Sequence, residues 1–194
     1  MKIYNSARWK LHRMFYGGWR CVTIKPTMAC NYNCPYCAVN FTKGGRVPRF
    51  DKTLSPKRWI EILESLGKIN VVSVSGGEPM LYKDFLPLAN LLLERYYVRI
   101  ITNLSLEIGL ELPKTHRLMI VPTFHESQTT WKDFEKRLKM YKKRFNVLYR
   151  QIGKNIELVH NNQERLVLKK QFHPNIAPDG RIFGSCVDLE RGGL

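Results

Sequence analysis

A chain of 194 residues with 44% apolar content is long enough to bury a core as one domain and too apolar to be disordered. Its net charge of +16 admits an anionic partner such as nucleic acid or polyphosphate, although the basic residues are spread along the chain and not gathered in one tail. The opening MKIYNSARWK has no apolar run behind its charges, and the longest apolar stretch, FLPLANLLL, is interrupted by Pro87 and Asn90; neither a signal peptide nor a membrane span is expected, and the default is a cytoplasmic protein without a membrane partner.

In chain order, WRCVTIK (19–25) is apolar and β-branched and predicts a strand. A cysteine-rich loop follows it, and then NFTKGGRVPRFDK, a Gly- and Lys-rich segment expected to be an exposed loop. Ser55-Pro56 has the pattern of an N-cap and a first helical residue, opening a helix over PKRWIEILESLGK. NVVSVS (70–75) predicts a second strand, broken by GGEP at 76–79. DFLPLANLLLERY predicts a helix, YVRIITN (97–103) a strand and RLMIVPTFH (117–125) another. WKDFEKRLKMYKKRF (131–145) has helical periodicity, with Phe134, Leu138, Tyr141 and Phe145 on the apolar side. Its basic side is a solvated face or a surface for an anionic partner. NVLYRQIG (146–153) predicts a fifth strand.

Strands alternating with helices imply βαβ units and a parallel sheet, and the near-continuous apolar strands fit a sheet covered on both faces. Five units fall short of the eight of a closed barrel, so an open or partial barrel is expected. The last forty residues change character. Extended segments there meet at Pro178-Asp179-Gly180, a turn signal that predicts a β-hairpin or edge strands.

Two constellations carry chemistry. Cys30, Cys34 and Cys37 lie within CNYNCPYC, in a chain with five cysteines. A reducing compartment favours metal ligation over disulfides for such a cluster. A structural zinc site is closed by four ligands, and no second cysteine pair exists to supply them; His12 or His125 would have to serve. A four-iron cluster normally takes four thiolates, so three would leave one iron open. Gly76-Gly77-Glu78-Pro79 also follows an apolar strand directly. Two glycines permit close backbone approach to a ligand, Pro79 stiffens the turn, and Glu78 offers a carboxylate able to hold an ammonium group. Both loops would lie at the C-terminal edge of a parallel sheet, where α/β folds bind ligands.

TMACNYNCPYC followed by SVSGGEPML resembles the radical S-adenosylmethionine (SAM) superfamily, over roughly residues 19 to 153. The resemblance implies an α/β fold, a partial (βα)6 TIM-like barrel, and a [4Fe-4S] cluster held by Cys30, Cys34 and Cys37. It implies that SAM completes the cluster through its amine and carboxylate, and that a reductant such as flavodoxin or ferredoxin supplies the electron. Reductive cleavage of SAM would give a 5′-deoxyadenosyl radical that abstracts hydrogen from a substrate. By the same resemblance Tyr36 would lie near the adenine, and Gly76, Gly77, Glu78 and Pro79 would contact the methionyl amine. Thr102 and Asn103 would stand at SAM's edge. Thr123, Phe124 and His125 occupy the position of a segment that contacts ribose or carboxylate in relatives, although His125 serves equally as a structural histidine. Arg150 is expected to be a plain surface arginine, with the SAM carboxylate or the substrate as the alternative partner.

The domains implied are an N-terminal extension (1–18), the partial barrel (19–160) and a C-terminal strand and hairpin extension (161–194). QIGKNIELV only faintly echoes the Gly-x-Ile-x-Gly adenine segment of the superfamily. The sixth strand is either HNNQERLVLKK or missing. NIAPDGRIFGSC resembles the start of the auxiliary-cluster extensions of peptide-modifying members, yet offers only Cys186. Cys186 is therefore expected to be a buried small residue or a lone thiol, and Cys21 to be core. The tail favours a peptide or protein substrate, and the charge favours RNA, a nucleotide or another anion. The contrasting readings are a zinc-binding nucleic-acid module and a member that binds a cluster without turnover.

Overall fold

The computed structural model describes residues 21–37, 53–152 and 174–183. Four parallel strands form the centre of one sheet: β1 (Cys21–Thr27), β2 (Val71–Gly76), β3 (Tyr97–Thr102) and β4 (Leu118–His125). Two short strands, β5 (Asn146–Val147) and β6 (Arg150–Ile152), both pair parallel to β4. At the other edge β7 (Asn175–Ile176) runs parallel to β1, and β8 (Ile182–Phe183) returns antiparallel to β7. The order β5-β4-β3-β2-β1-β7-β8 makes an open, mainly parallel α/β sheet of the partial-barrel kind, and the predicted hairpin lengthens it beyond β1.

Local chemistry explains the helices. α1 (Pro56–Ser65) starts with the Ser55 side chain accepting from the Arg58 N–H at 3.3 Å, with Pro56 in the first turn. It stops short of the predicted Lys68 because Gly67, at φ 91°, takes the left-handed position after the last turn. α2 (Phe85–Arg95) tolerates Pro87 because its first turn needs no intrahelical donors. α3 (Trp131–Lys142) is capped by Thr130, whose Oγ1 accepts from the Asp133 N–H at 3.2 Å. Phe145 lies beyond the helix end but is buried all the same.

Between β3 and β4 the crossover holds a 3₁₀ turn, Ile108–Glu111, in place of an α-helix, and the fully buried Leu104 and Leu112 fill the space there. The predicted fifth strand breaks in two. Ile120 O accepts from Leu148 N–H at 2.9 Å, so Ile120 bonds toward β5. By the two-residue alternation Pro122 faces the same side, where it has no N–H to give, and the ladder is interrupted.

Alternation also splits the sheet into two faces. Val22, Ile24, Val72, Val74, Val98, Ile100, Leu118 and Ile120 pack with Trp59, Phe85, Leu88 and Phe134 of the helices in one apolar core. Each such large side chain stabilises the fold by roughly 1.5–3 kcal/mol on burial. The opposite face is more polar: Thr23, Ser73, Arg99, Thr123 and His125 lie there. Among the described residues no helix is long and apolar enough to cross a membrane. The N-terminal extension, His12, QIGKNIELV beyond Ile152, HNNQERLVLKK, Cys186 and the whole of the Gly- and Lys-rich loop lie outside the described residues.

Candidate functional site

β2 ends at Gly76, whose φ of 129° an L side chain rarely adopts. A Cβ added there would sit 2.2 Å from Thr27 O, and one on Gly77 would sit 2.1 Å from Ala29 O. Two backbone bonds use this closeness: Gly77 N–H donates to Thr27 O at 3.1 Å and Glu78 N–H to Ala29 O at 2.8 Å. The neighbour that requires glycine is thus the chain's own backbone, in the three residues before Cys30. The sequence pointed to a ligand for that role.

Glu78 turns inward and is 1% exposed. Its Oε1 accepts from Thr102 Oγ1 at 2.9 Å and from Met80 N–H at 3.2 Å, and its Oε2 from Asn103 N–H at 2.8 Å. Burial pushes its carboxyl up to about 7, against the pull of those three donors. The carboxylate therefore ties the ends of β2 and β3 together. Thr102 lies beneath it, and its Oγ1 also accepts from Leu104 N–H at 3.0 Å. Leu104 is fully buried at φ 57°, a left-handed conformation costing a bulky residue roughly 1–2 kcal/mol. That turn lets Asn103 Oδ1 accept from Ser105 N–H at 2.9 Å.

The cysteine loop leaves β1 beside this turn. The Cys30 thiol is half-buried, Cys34 is buried and Cys37 is exposed. Cys30 Sγ accepts from Tyr32 N–H at 3.4 Å, and Cys37 N–H donates to Cys34 O at 3.1 Å. Burial raises the thiols of Cys30 and Cys34; at Cys30 the Tyr32 N–H pulls back, and the charges of Glu78, Cys34 and Cys37 add to the rise. Two side-chain bridges fix the loop. Asn31 Oδ1 accepts from Asn103 Nδ2 at 3.0 Å while its Nδ2 donates to Ser105 Oγ at 2.7 Å. Gln128 pairs with the backbone of Asn33, accepting its N–H at 2.8 Å and donating to its carbonyl at 3.1 Å.

His125 joins the loop to the end of β4. Its Nδ1 lies 3.4 Å from Cys34 Sγ and 3.3 Å from the Tyr36 hydroxyl. The ring stacks on Tyr36 at 6.1 Å and meets Tyr32 edge-on at 5.8 Å. Burial lowers its pKa to about 4, so it is neutral at pH 7. Burial also raises the Tyr36 phenol.

The structure therefore gathers Tyr36, Gly76, Gly77, Glu78, Pro79, Thr102, Asn103 and His125 with the three cysteines at one edge of the sheet. Thr123 is buried on the polar face with His125. Phe124 is not with them: alternation sends it to the helix side, 5.3 Å from Trp131 and 5.2 Å from Phe134. Cys21 is buried as expected. The backbone of Arg150 pairs opposite Thr123. Sequence reasoning missed Asn31, Ser105 and Gln128. The first lies inside the cysteine motif and carried a signal; Gln128 lies far along the chain from Asn33 and carried none. Among the described residues no group of three or more His, Cys, Asp or Glu converges to hold one metal ion.

The chain also resembles known proteins. The family model of the Radical SAM superfamily matches residues 24–163. An S-adenosylmethionine-dependent nucleotide dehydratase of Selenomonas ruminantium is 33% identical over 93 residues, 47% of this chain and 32% of that protein. A probable GTP 3′,8-cyclase of Methanopyrus kandleri is 36% identical over 69 residues, 34% of this chain and 21% of that one. The chain thus spans a third or less of these curated relatives. Among solved structures, Streptococcus suis SuiB bound to precursor peptide SuiA superposes with a TM-score of 0.57 at 14% identity, covering 96% of this chain and 64% of SuiB. BtrN in complex with AdoMet and 2-DOIA gives 0.56 at 18% identity, covering 89% of this chain and 75% of BtrN. At these identities the likeness is one of fold.

Proposed function

The chain belongs to the radical SAM superfamily, and from that premise we propose that it is an enzyme holding a [4Fe-4S] cluster on Cys30, Cys34 and Cys37, with SAM bound against Gly76, Gly77, Glu78 and Pro79. The observation that carries this reading is the seam between the two motifs. Gly76 and Gly77 are pressed onto Thr27–Ala29, so the segment that leads into Cys30 and the turn that would receive the amino acid part of SAM are one rigid piece.

The donor set fits the cofactors. A four-iron cluster takes its thiolates on separate irons, so three cysteines leave one iron for SAM and need not converge on a single point. A zinc module requires the opposite, four donors around one ion, and the described side chains do not offer it. When bound, cluster and SAM together supply a single electron to a sulfonium and, from it, a hydrogen-abstracting radical. The electron comes from a small reductant such as flavodoxin or ferredoxin.

The residues of the chain bind, orient and shield. Raised thiol pKa values mean that loading releases protons from Cys30 and Cys34, so cluster uptake weakens as pH falls. Glu78 and Thr102 hold the turn from beneath, and Asn103 carries that order across to Asn31. Neutral His125 steadies the Cys34 thiol and the Tyr36 ring, which would flank the adenine of bound SAM. The substrate is a peptide or an anionic nucleotide-like molecule: SuiB is seen with a peptide, while the curated relatives are named for nucleotides.

The test is anaerobic reconstitution with iron and sulfide, reduction in the presence of SAM, and chromatography for 5′-deoxyadenosine. A brown protein that makes 5′-deoxyadenosine, and loses both colour and product in Cys34→Ala, is expected. A colourless protein that takes up zinc would overturn the reading.

A further inference from the structure

The polar face of the sheet carries charge that the cofactor site does not use. Val98 and Ile100 belong to the helix-side core, so Arg99 between them faces the other way. A hydroxyl and a cysteine sulfur orient its guanidinium: Nε donates to Ser73 Oγ at 3.1 Å and Nη2 to Cys21 Sγ at 2.9 Å. Register sets Thr23 beside Ser73 and Ser73 beside Arg99 in one row. Lys25, the residue after the core position Ile24, is 4% exposed. Its Cβ would be 3.5 Å from a Cβ on Gly76, so the foot of its side chain lies beside the start of the GGEP turn. The polar-face positions of β2, β3 and β4 opposite the core, from Val71 to His125, include no aspartate or glutamate.

Among the described strand positions of this face Arg99 meets no carboxylate, and a guanidinium fixed in direction by a hydroxyl and a thiol is ready to take an anion. The guanidinium fork matches an oxyanion bidentately, and the positive field of the face rewards the more highly charged one. We propose that the polar face of the sheet, centred on Arg99, is a subsite for a phosphate group of the substrate. The proposal rests on the enzyme reading above and narrows its substrate from peptide or anion to a phosphate-bearing molecule. Arg99 lies three strand residues, about 10 Å, below the end of β3 at Thr102. A phosphate there leaves the rest of a nucleotide-sized substrate extending toward the edge where SAM would be cleaved.

The experiment measures equilibrium binding to the anaerobically reconstituted full chain at fixed salt. The probes are the four ribonucleoside triphosphates, inorganic tripolyphosphate and an acidic hexapeptide. At least one nucleotide is expected to bind and to be displaced by tripolyphosphate. Its affinity is expected to fall about tenfold or more in Arg99→Met and by less in Arg99→Lys. The double variant Lys142→Gln, Lys143→Gln, on the exposed end of α3, is expected to stay within about twofold, because charges there are solvated and screened. Equal losses in the α3 and Arg99 variants would make the binding a diffuse effect of net charge and overturn the subsite. So would hexapeptide binding that depends on Arg99 without any phosphate binding. If Arg99→Met fails to fold, Ser73→Ala, which keeps the charge and releases the fork, decides: about threefold weaker phosphate binding supports the subsite, and unchanged binding overturns it. A wild type that makes 5′-deoxyadenosine but binds no phosphate probe overturns this inference and leaves the enzyme reading standing. Arg99-dependent phosphate binding without SAM cleavage does the reverse.

Discussion

Two loops leave the same edge of the sheet and are held by different means. The GGEP turn is fixed through backbone: glycine contacts near 2 Å for a missing Cβ, two main-chain bonds to Thr27 and Ala29, and a buried carboxylate closing it from below. The cysteine loop is fixed through side chains that arrive from elsewhere, Asn103 and Ser105 on one side and Gln128 on the other. A turn built from backbone tolerates no substitution but stays in place unaided. A loop stitched by side chains can open for loading and can be loosened one stitch at a time. That difference would suit the proposed site, in which the cysteine loop admits a cluster while the other wall stays still.

The largest expected effect would break the rigid half. Gly77→Ala puts a methyl 2.1 Å from Ala29 O, a backbone atom with no freedom to move without dragging Cys30 along. We expect a loss above about 3 kcal/mol in urea unfolding of the cofactor-free chain, together with loss of iron uptake. A stable Gly77→Ala chain with normal iron content would show that the seam is not rigid.

Next comes the carboxylate beneath the turn. Its folded pKa, about 7, lies above the ordinary carboxyl value of 4.5, so the fold binds a proton that the unfolded chain has released. That contribution is fully present below about pH 4.5 and is lost as pH rises through about 7. It amounts to something on the order of 3 kcal/mol across the window. Urea midpoints at pH 5 and pH 8 should therefore converge more in Glu78→Gln than in wild type. The variant should also be less stable at pH 5, because an amide N–H₂ cannot accept from all the donors around it. Equal pH dependence in the two chains would mean that the buried carboxylate carries no such proton.

The architecture was legible where local chemistry decides it. Ser55-Pro56 announced α1, Pro178-Asp179-Gly180 announced the hairpin, and the apolar runs announced β1 to β4. Cys30, Cys34, Cys37 and GGEP were legible because close spacing in the chain places them together. What was illegible depends on registers that no local pattern encodes. The reason for Gly76 and Gly77 is a neighbouring strand end; the direction of Glu78 is set by donors on β3. The fifth strand fails because of Pro122, which is on a different strand. Phe124 was drawn into the site by adjacency in sequence, whereas strand alternation puts it in the core. Gln128 reaches Asn33 only because β4 ends beside the cysteine loop.

The stitched half is tested by Gln128→Ala. It should cost about 1 kcal/mol or less, since the bonds are half-exposed. Hydrogen exchange at the Asn33 amide of the cofactor-free chain should nevertheless rise, because its acceptor is gone. Exchange rising equally at Glu78, whose amide bonds to Ala29 O, would mean that the two loops move as one and would dissolve the comparison.

The smallest effect on stability should accompany a complete loss of function. Cys37 is exposed, and truncating an exposed side chain normally changes stability by no more than about 0.5 kcal/mol in either direction. Cys37→Ala should therefore melt with wild type while binding little iron and making no 5′-deoxyadenosine. Cys34→Ala should lose iron equally but also some stability, because Cys34 is buried against His125. The pair of variants separates what a cysteine does for the loop from what it does for a cluster. Equal iron loss with unequal melting assigns the common deficit to ligation. If Cys37→Ala instead keeps its iron, the open loop must recruit a different donor, and the three-thiolate reading of this site fails.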